Sequence, residues 1–267
     1  MAPAEAYNPP MPQPSPDGST FVPFRLALGE AILSGTALVP VGITTLTELL
    51  PVLRRLEQSG SEAAIEGLAS RGQPISCRQA CSACCDHLVP VTLFEAESLS
   101  FAIRAMPPPQ QHALADRFRS ALQQLAASGL NDRIQAEDWI GDTPSARHIV
   151  LDYLYQRIPC PFLVDSACSV YELRPFACRE YLVVSPPAHC ADPAANAVVR
   201  VNLPLRLFPI LNRIGASVFD DTRGWFPLVL LLAWMEADPH PGDSVSAPGL
   251  ELFHEILTGL GASAASA

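Results

Sequence analysis

The sequence predicts a mainly α protein: a helical domain with two irregular cysteine-rich loops that form a metal site. Three observations carry this reading. Apolar residues recur at helical spacing in several stretches, bounded by helix start and stop signals. No series of alternating strand and helix runs along the 267 residues, which argues against a Rossmann or barrel architecture. All eight cysteines lie between Cys77 and Cys190, in two stretches of loop-like composition.

The elements follow in order. Residues 1–23 carry many prolines and few apolar anchors, so a disordered, Pro-rich arm is expected. Residues 24–71 are expected to form an N-terminal helical segment. Within it, 24–43 is apolar but interrupted by Gly29, Gly35, Pro40 and Gly42, and short helical pieces with turns are expected. From Thr45 a helical stripe of Leu46, Leu49, Leu50, Leu53 and Leu56 begins. Gly60 is expected to stop that helix and Ser61 to restart one towards Ser70.

Residues 72–192 form the expected cysteine-cluster metal-binding domain. Thr92-Leu-Phe-Glu95 reads as a capping box that opens a helix ending before Pro107. A helix over 109–128 is closed by Gly129, a shorter one covers 132–140, and an amphipathic one covers 145–157. Residues 193–262 are expected to pack on the same core as a C-terminal helical segment. A short strand over 198–202 and helices near 204–215, 226–237 and 248–260 are expected there.

Charge narrows the partners. The chain carries 17 basic and 27 acidic residues, net −10, and every basic residue is arginine. Neither nucleic acid nor an anionic membrane suits that balance. The longest apolar run, Trp225 to Met235, is too short to cross a bilayer, which takes about 20 residues. No cationic start followed by an apolar stretch marks a secretory signal, so a cytoplasmic location is expected. In that reducing setting, clustered cysteines read as metal ligands rather than disulfides.

The cysteines fall into two groups. The first is Cys77, Cys81, Cys84 and Cys85, and the second is Cys160, Cys168, Cys178 and Cys190. Thiolates suit zinc and iron–sulfur clusters, and close spacing lowers the entropy cost of closing a site. A zinc ribbon needs two Cys-x2-Cys knuckles, and only Cys81 and Cys84 form one. A 4Fe–4S cluster takes a tight group plus a remote ligand, which Cys77, Cys81 and Cys84 begin to supply. The adjacent Cys84 and Cys85 point different ways on a regular backbone. They read as serving two centres, or as one ligand and one redox thiol. His87 and His189 flank the groups and are candidates to complete a mixed site. Arg174 and Arg179 bracket Cys178 and are read as cofactor-binding residues, donating hydrogen bonds to a negatively charged centre. Glu95 and Glu97 read as solvated carboxylates on a helix face.

The stretch Cys77-x3-Cys81-x2-Cys84-Cys85, then Cys160-Pro-Phe-Leu, then Cys168-Ser-Val-Tyr-Glu-Leu-Arg-Pro-Phe-Ala-Cys178-Arg resembles the YkgJ-type cysteine-cluster proteins. These are also called the CxxCxxCC, zinc- or iron-chelating domain family. The resemblance implies eight chelating cysteines: Cys77, Cys81, Cys84, Cys85, Cys160, Cys168, Cys178 and Cys190. Three residues separate Cys77 from Cys81, where the family name implies two. One branch of the family includes a flagellin lysine N-methylase, which implies an iron–sulfur enzyme of protein-lysine methylation. The first three cysteines also have the spacing of the radical S-adenosylmethionine motif, although helical pattern precedes them instead of a strand.

Three functions therefore compete at the level of sequence. The first is a metal-binding protein holding an iron–sulfur cluster, or iron or zinc ions, for redox or group transfer. The second is a protein-lysine N-methylase using S-adenosylmethionine. The third is a structural zinc module with a protein partner. No nucleophile triad, phosphate loop or His-Glu-x-x-His signature is present.

Overall fold

The computed structural model describes residues 18–28, 31–136, 139, 143–218, 223–236 and 244–264. It opens with a β-hairpin, not with helical pieces. Strand β1 (Ser19–Leu28) pairs antiparallel with β2 (Ala31–Pro40) in continuous register from Ser19↔Pro40 to Leu28↔Ala31. Residues 19–23 of the expected arm are therefore strand, and residues 1–17 lie outside the described ones. Gly35 does not interrupt the strand. It stands opposite Phe24, whose ring lies where a Cβ on residue 35 would sit, 3.0 Å from the ring's Cζ. An aromatic side chain thus covers the gap that the glycine leaves.

Strand β3 (Ile43–Thr45) leads into α1 (Leu46–Ala69). Thr45 caps this helix: its hydroxyl accepts from Glu48 N–H, and the Glu48 carboxylate accepts from Thr45 N–H at 2.8 Å. Burial pays for the leucine stripe. Leu46, Leu49, Leu50 and Leu53 are fully buried and Leu56 nearly so, each contributing about 1.5–3 kcal/mol. The helix continues through Gly60. Leu205 packs so closely there that a Cβ would come within 2.9 Å of it, so the glycine admits a neighbour and does not end the helix.

Strand β4 (Pro90–Thr92) precedes α2 (Leu93–Arg104), whose capping box is the one expected from Thr92 and Glu95. Helix α3 (Pro108–Ser128) starts on a proline and closes on Gly129 in the left-handed region. Helices α4 (Asn131–Ala136) and α5 (Pro144–Tyr155) follow. The rest of the expected 132–140 helix lies mostly outside the described residues.

A two-residue turn at Asp165 and Ser166, both with positive φ, joins β5 (Leu163–Val164) to β6 (Ala167–Cys168). Short helices α6 (Phe176–Arg179) and α7 (Pro187–Ala191) carry two cysteines. The expected strand over 198–202 is a single bridge, Val183 to Arg200.

Helix α8 (Phe208–Val218) follows. The long apolar run then divides into β7 (Trp225–Pro227), a 3-10 turn (Leu228–Leu230) and α9 (Leu231–Glu236). Pro227 cannot continue a helix ladder. Strand β8 (Ser246–Pro248) and α10 (Gly249–Ala264) end the described chain. β3 pairs with β8, and β4 with β7. No helix among the described residues is long and apolar enough to cross a membrane.

The fold is helix-rich with small two-stranded sheets. One hydrophobic cluster joins Leu26 and Val39 of the hairpin, the α1 leucines, and Leu252, Phe253 and Ile256 of α10. A second cluster joins Val91, Leu99, Phe118, Phe162 and Leu231, and Cys160 and Cys168 pack against it.

Candidate metal centre

The first cysteine loop is a series of turns. Cys81 N–H donates to Arg78 O, Cys85 N–H to Ser82 O, and His87 N–H to Cys84 O. Ala80, with φ 62°, reverses the chain between Cys77 and Cys81. The loop is sewn to the second group by backbone hydrogen bonds. Cys160 N–H donates to Cys85 O at 2.8 Å, and Ser76 N–H donates to Val183 O at 2.8 Å. These bonds hold together stretches about 75 to 110 residues apart in sequence.

The second group is built on three small frames. The β5–β6 hairpin presents Cys168, α6 presents Cys178, and α7 presents Cys190. Seven of the cysteines are partly buried, Cys190 is buried, and all eight are free thiols.

The two stretches meet next to Cys84, where Cys85 O accepts from Cys160 N–H. Burial pushes the thiols of Cys77, Cys160, Cys178 and Cys190 up, Cys160 to about 12 and Cys190 to about 11, and the charge of Cys84 adds to the rise in each. Burial raises Cys168 as well. Cys84 itself is raised by a hydrogen bond with Cys85 and then by burial. These groups are therefore held as neutral thiols until a cation offsets the cost of the thiolate form, which is the form that binds metal. The donor set is soft sulfur throughout and suits zinc or iron. Among the described residues, no three His, Cys, Asp or Glu side chains already form a set that could hold one ion. A metal would thus have to draw the thiolates in, so that binding and local ordering are coupled.

The two flanking histidines hold backbone. His87 Nε2 donates to Cys190 O at 2.6 Å, with its ring edge-on to Tyr181. His189 Nδ1 donates to Ala197 O at 2.7 Å. The first ring holds the C-terminal turn of α7, and the second ties α7 to the chain that follows it.

The two arginines are placed differently. Arg174 stacks over the Tyr171 ring at 3.8 Å and donates from Nε to Tyr171 O. Its charge opposes the rise at Cys77, Cys84, Cys168 and Cys178. Arg179 turns the other way. Its Nε donates to Glu57 Oε2 at 2.8 Å, and both side chains are buried. The sequence places Arg179 beside a centre, but the structure commits it to α1.

Three buried carboxylates fix α6, and sequence reasoning missed all three. Glu95 is fully buried, not solvated. One of its oxygens accepts from Thr92 and closes the capping box, and the other accepts from Phe176 N–H, the first residue of α6. Glu57 holds Arg179, the last residue of α6, and accepts from Ser61 Oγ. Glu180 accepts from Leu207 N–H at 2.6 Å, Phe208 N–H at 3.0 Å and Arg206 Nε at 3.3 Å. Glu97, likewise expected in solvent, is buried against the Thr47 hydroxyl. The capping-box position of Glu95 was the one readable signal, because an N3 carboxylate is already half committed to backbone.

Residues 76–194 match the model of the family described as CxxCxxCC, "Putative zinc- or iron-chelating domain". No curated protein and no solved structure matches the chain.

Proposed function

We propose, taking as premise that residues 76–194 match the CxxCxxCC zinc- or iron-chelating family, that this chain binds metal through its clustered cysteine thiolates. An iron–sulfur cluster is the form we favour. The observation that carries this reading is that the two cysteine stretches meet: Cys160 N–H donates to Cys85 O at 2.8 Å, and Cys84 and Cys178 line the same cleft. The tight triplet Cys77, Cys81 and Cys84 with thiols from a remote stretch is the pattern of cluster ligation, whereas zinc closes around four ligands in paired knuckles.

Cys77, Cys81 and Cys84 are the proposed ligands from the first stretch, the fourth comes from among Cys160, Cys168, Cys178 and Cys190, and Cys85 is the neighbour that bonds Cys84. Such a cluster supplies one-electron chemistry when bound. Arg174 supplies the positive charge that a thiolate-rich centre needs nearby, and the Glu95–Phe176 bond holds the loop that presents Cys178. Structural zinc is the competing reading. Iron, zinc and acid-labile sulfide measured on anaerobically purified protein decide between them. Iron with equimolar sulfide and broad visible absorption supports the cluster. Zinc without sulfide overturns the cluster and keeps the chelating role.

A further inference from the structure

The cysteine loops border a cleft of about 830 Å³. That volume lies within the range of small-molecule sites. Cys84 and Cys178 line one side, and Trp139, Val150 and Phe208 give it apolar walls. Arg147, Arg200 and Arg206 also line it, and no aspartate or glutamate does so among the described residues. In a chain of net charge −10 this is a local inversion of sign.

Two of these arginines keep guanidinium donors that the protein's own carboxylates do not take up. Arg200 lies over the Tyr181 ring at 4.9 Å and makes no hydrogen bond or ion pair among the described residues. Arg206 uses only Nε on Glu180, and its side chain is 49% exposed, which leaves its terminal nitrogens for another acceptor. Guanidinium groups bind carboxylate and phosphate by paired, charge-assisted hydrogen bonds.

We infer that this cleft binds a small-molecule anion with an aromatic or aliphatic body. Arg200 and Arg206 hold its carboxylate or phosphate, and Trp139, Val150 and Phe208 face its body. The placement brings such a ligand beside Cys84 and Cys178. The inference goes beyond metal binding and stands on residues outside the cysteine set.

Titration with phenylphosphate, benzoate and benzylamine tests it, read by tryptophan fluorescence and NMR shifts, with metal content measured on the same samples. At least one of the two anions should bind about tenfold or more tighter than the amine, and added salt should weaken it. The stronger of the two anions identifies the headgroup. Arg200→Ala should weaken binding about fivefold or more at unchanged metal content, because Arg200 is exposed and is not among the proposed ligands. Val150→Glu, which brings a carboxylate into the cleft, should do the same. Equal affinity for anion and amine, or anion binding untouched by both variants, overturns the inference. Absence of metal from the protein would overturn the chelating role and leave this titration interpretable.

Discussion

The carboxylate of Glu95 accepts a hydrogen bond at 2.5 Å from the backbone N–H of Phe176, 81 residues further along the chain. The same side chain closes the capping box of α2 through Thr92. One residue therefore fixes a helix start and the loop that presents Cys178. Burial raises its carboxyl, and the bonds from Thr92 and Phe176 with the charge of Arg54 oppose that rise.

Glu95→Ala leaves the Phe176 and Thr92 donors buried without an acceptor. Its expected cost is about 3 kcal/mol, the range for breaking a buried polar network. Glu95→Gln keeps an acceptor oxygen and should cost less. Urea midpoints at constant m-value measure both. An alanine variant as stable as the wild type would show that the bond does not hold the loop.

The two arginines of the second cysteine stretch should separate. Arg179→Ala leaves Glu57 buried without its cation, at an expected cost of about 3–5 kcal/mol. Arg174→Ala removes a stacking contact over Tyr171, at about 1 kcal/mol. The Arg174 variant should instead lose metal faster to a chelator, because its charge acts on four of the thiols. Thermal melts and chelator kinetics on both variants check this. The reverse order in both assays would overturn the assignment.

Stability should depend on pH through Glu180. Burial raises its carboxyl from 4.5 to about 7. The folded value lies above the unfolded one, so the native state keeps a proton that the unfolded chain releases. This contribution is fully present below 4.5 and is lost as pH rises through 7. Glu180→Gln retains an acceptor for Leu207 and Phe208 N–H but has no proton to lose. The wild-type Tm should therefore fall relative to that of the variant between pH 4.5 and 8. A constant difference between the two melting curves would contradict the shift.

Much of the helical frame was legible because local chemistry decides it. Thr45, Thr92 and Gly129 mark helix ends by their own hydrogen bonds and backbone preference, and the α1 leucines repeat at helical spacing. The hairpin over 19–40 was not legible, because Gly35 reads as a breaker until Phe24 is known to stand across from it. Gly60 misled in the same way, since the partner that needs its missing side chain, Leu205, is 145 residues distant. The cysteine spacing carries the metal chemistry proposed above. Glu57 and Glu180 gave no comparable sign, and Glu95 gave only its capping-box position, because a carboxylate is read as solvated unless its buried donor is in view.

The most direct test is metal content in Cys84→Ser against the wild type, both purified anaerobically and confirmed folded by circular dichroism. Cys84 is the proposed ligand where the two stretches meet, so the substitution should remove most of the bound iron or zinc and lower the melting temperature. Full metal retention with an unchanged melting point would contradict a centre built on that junction.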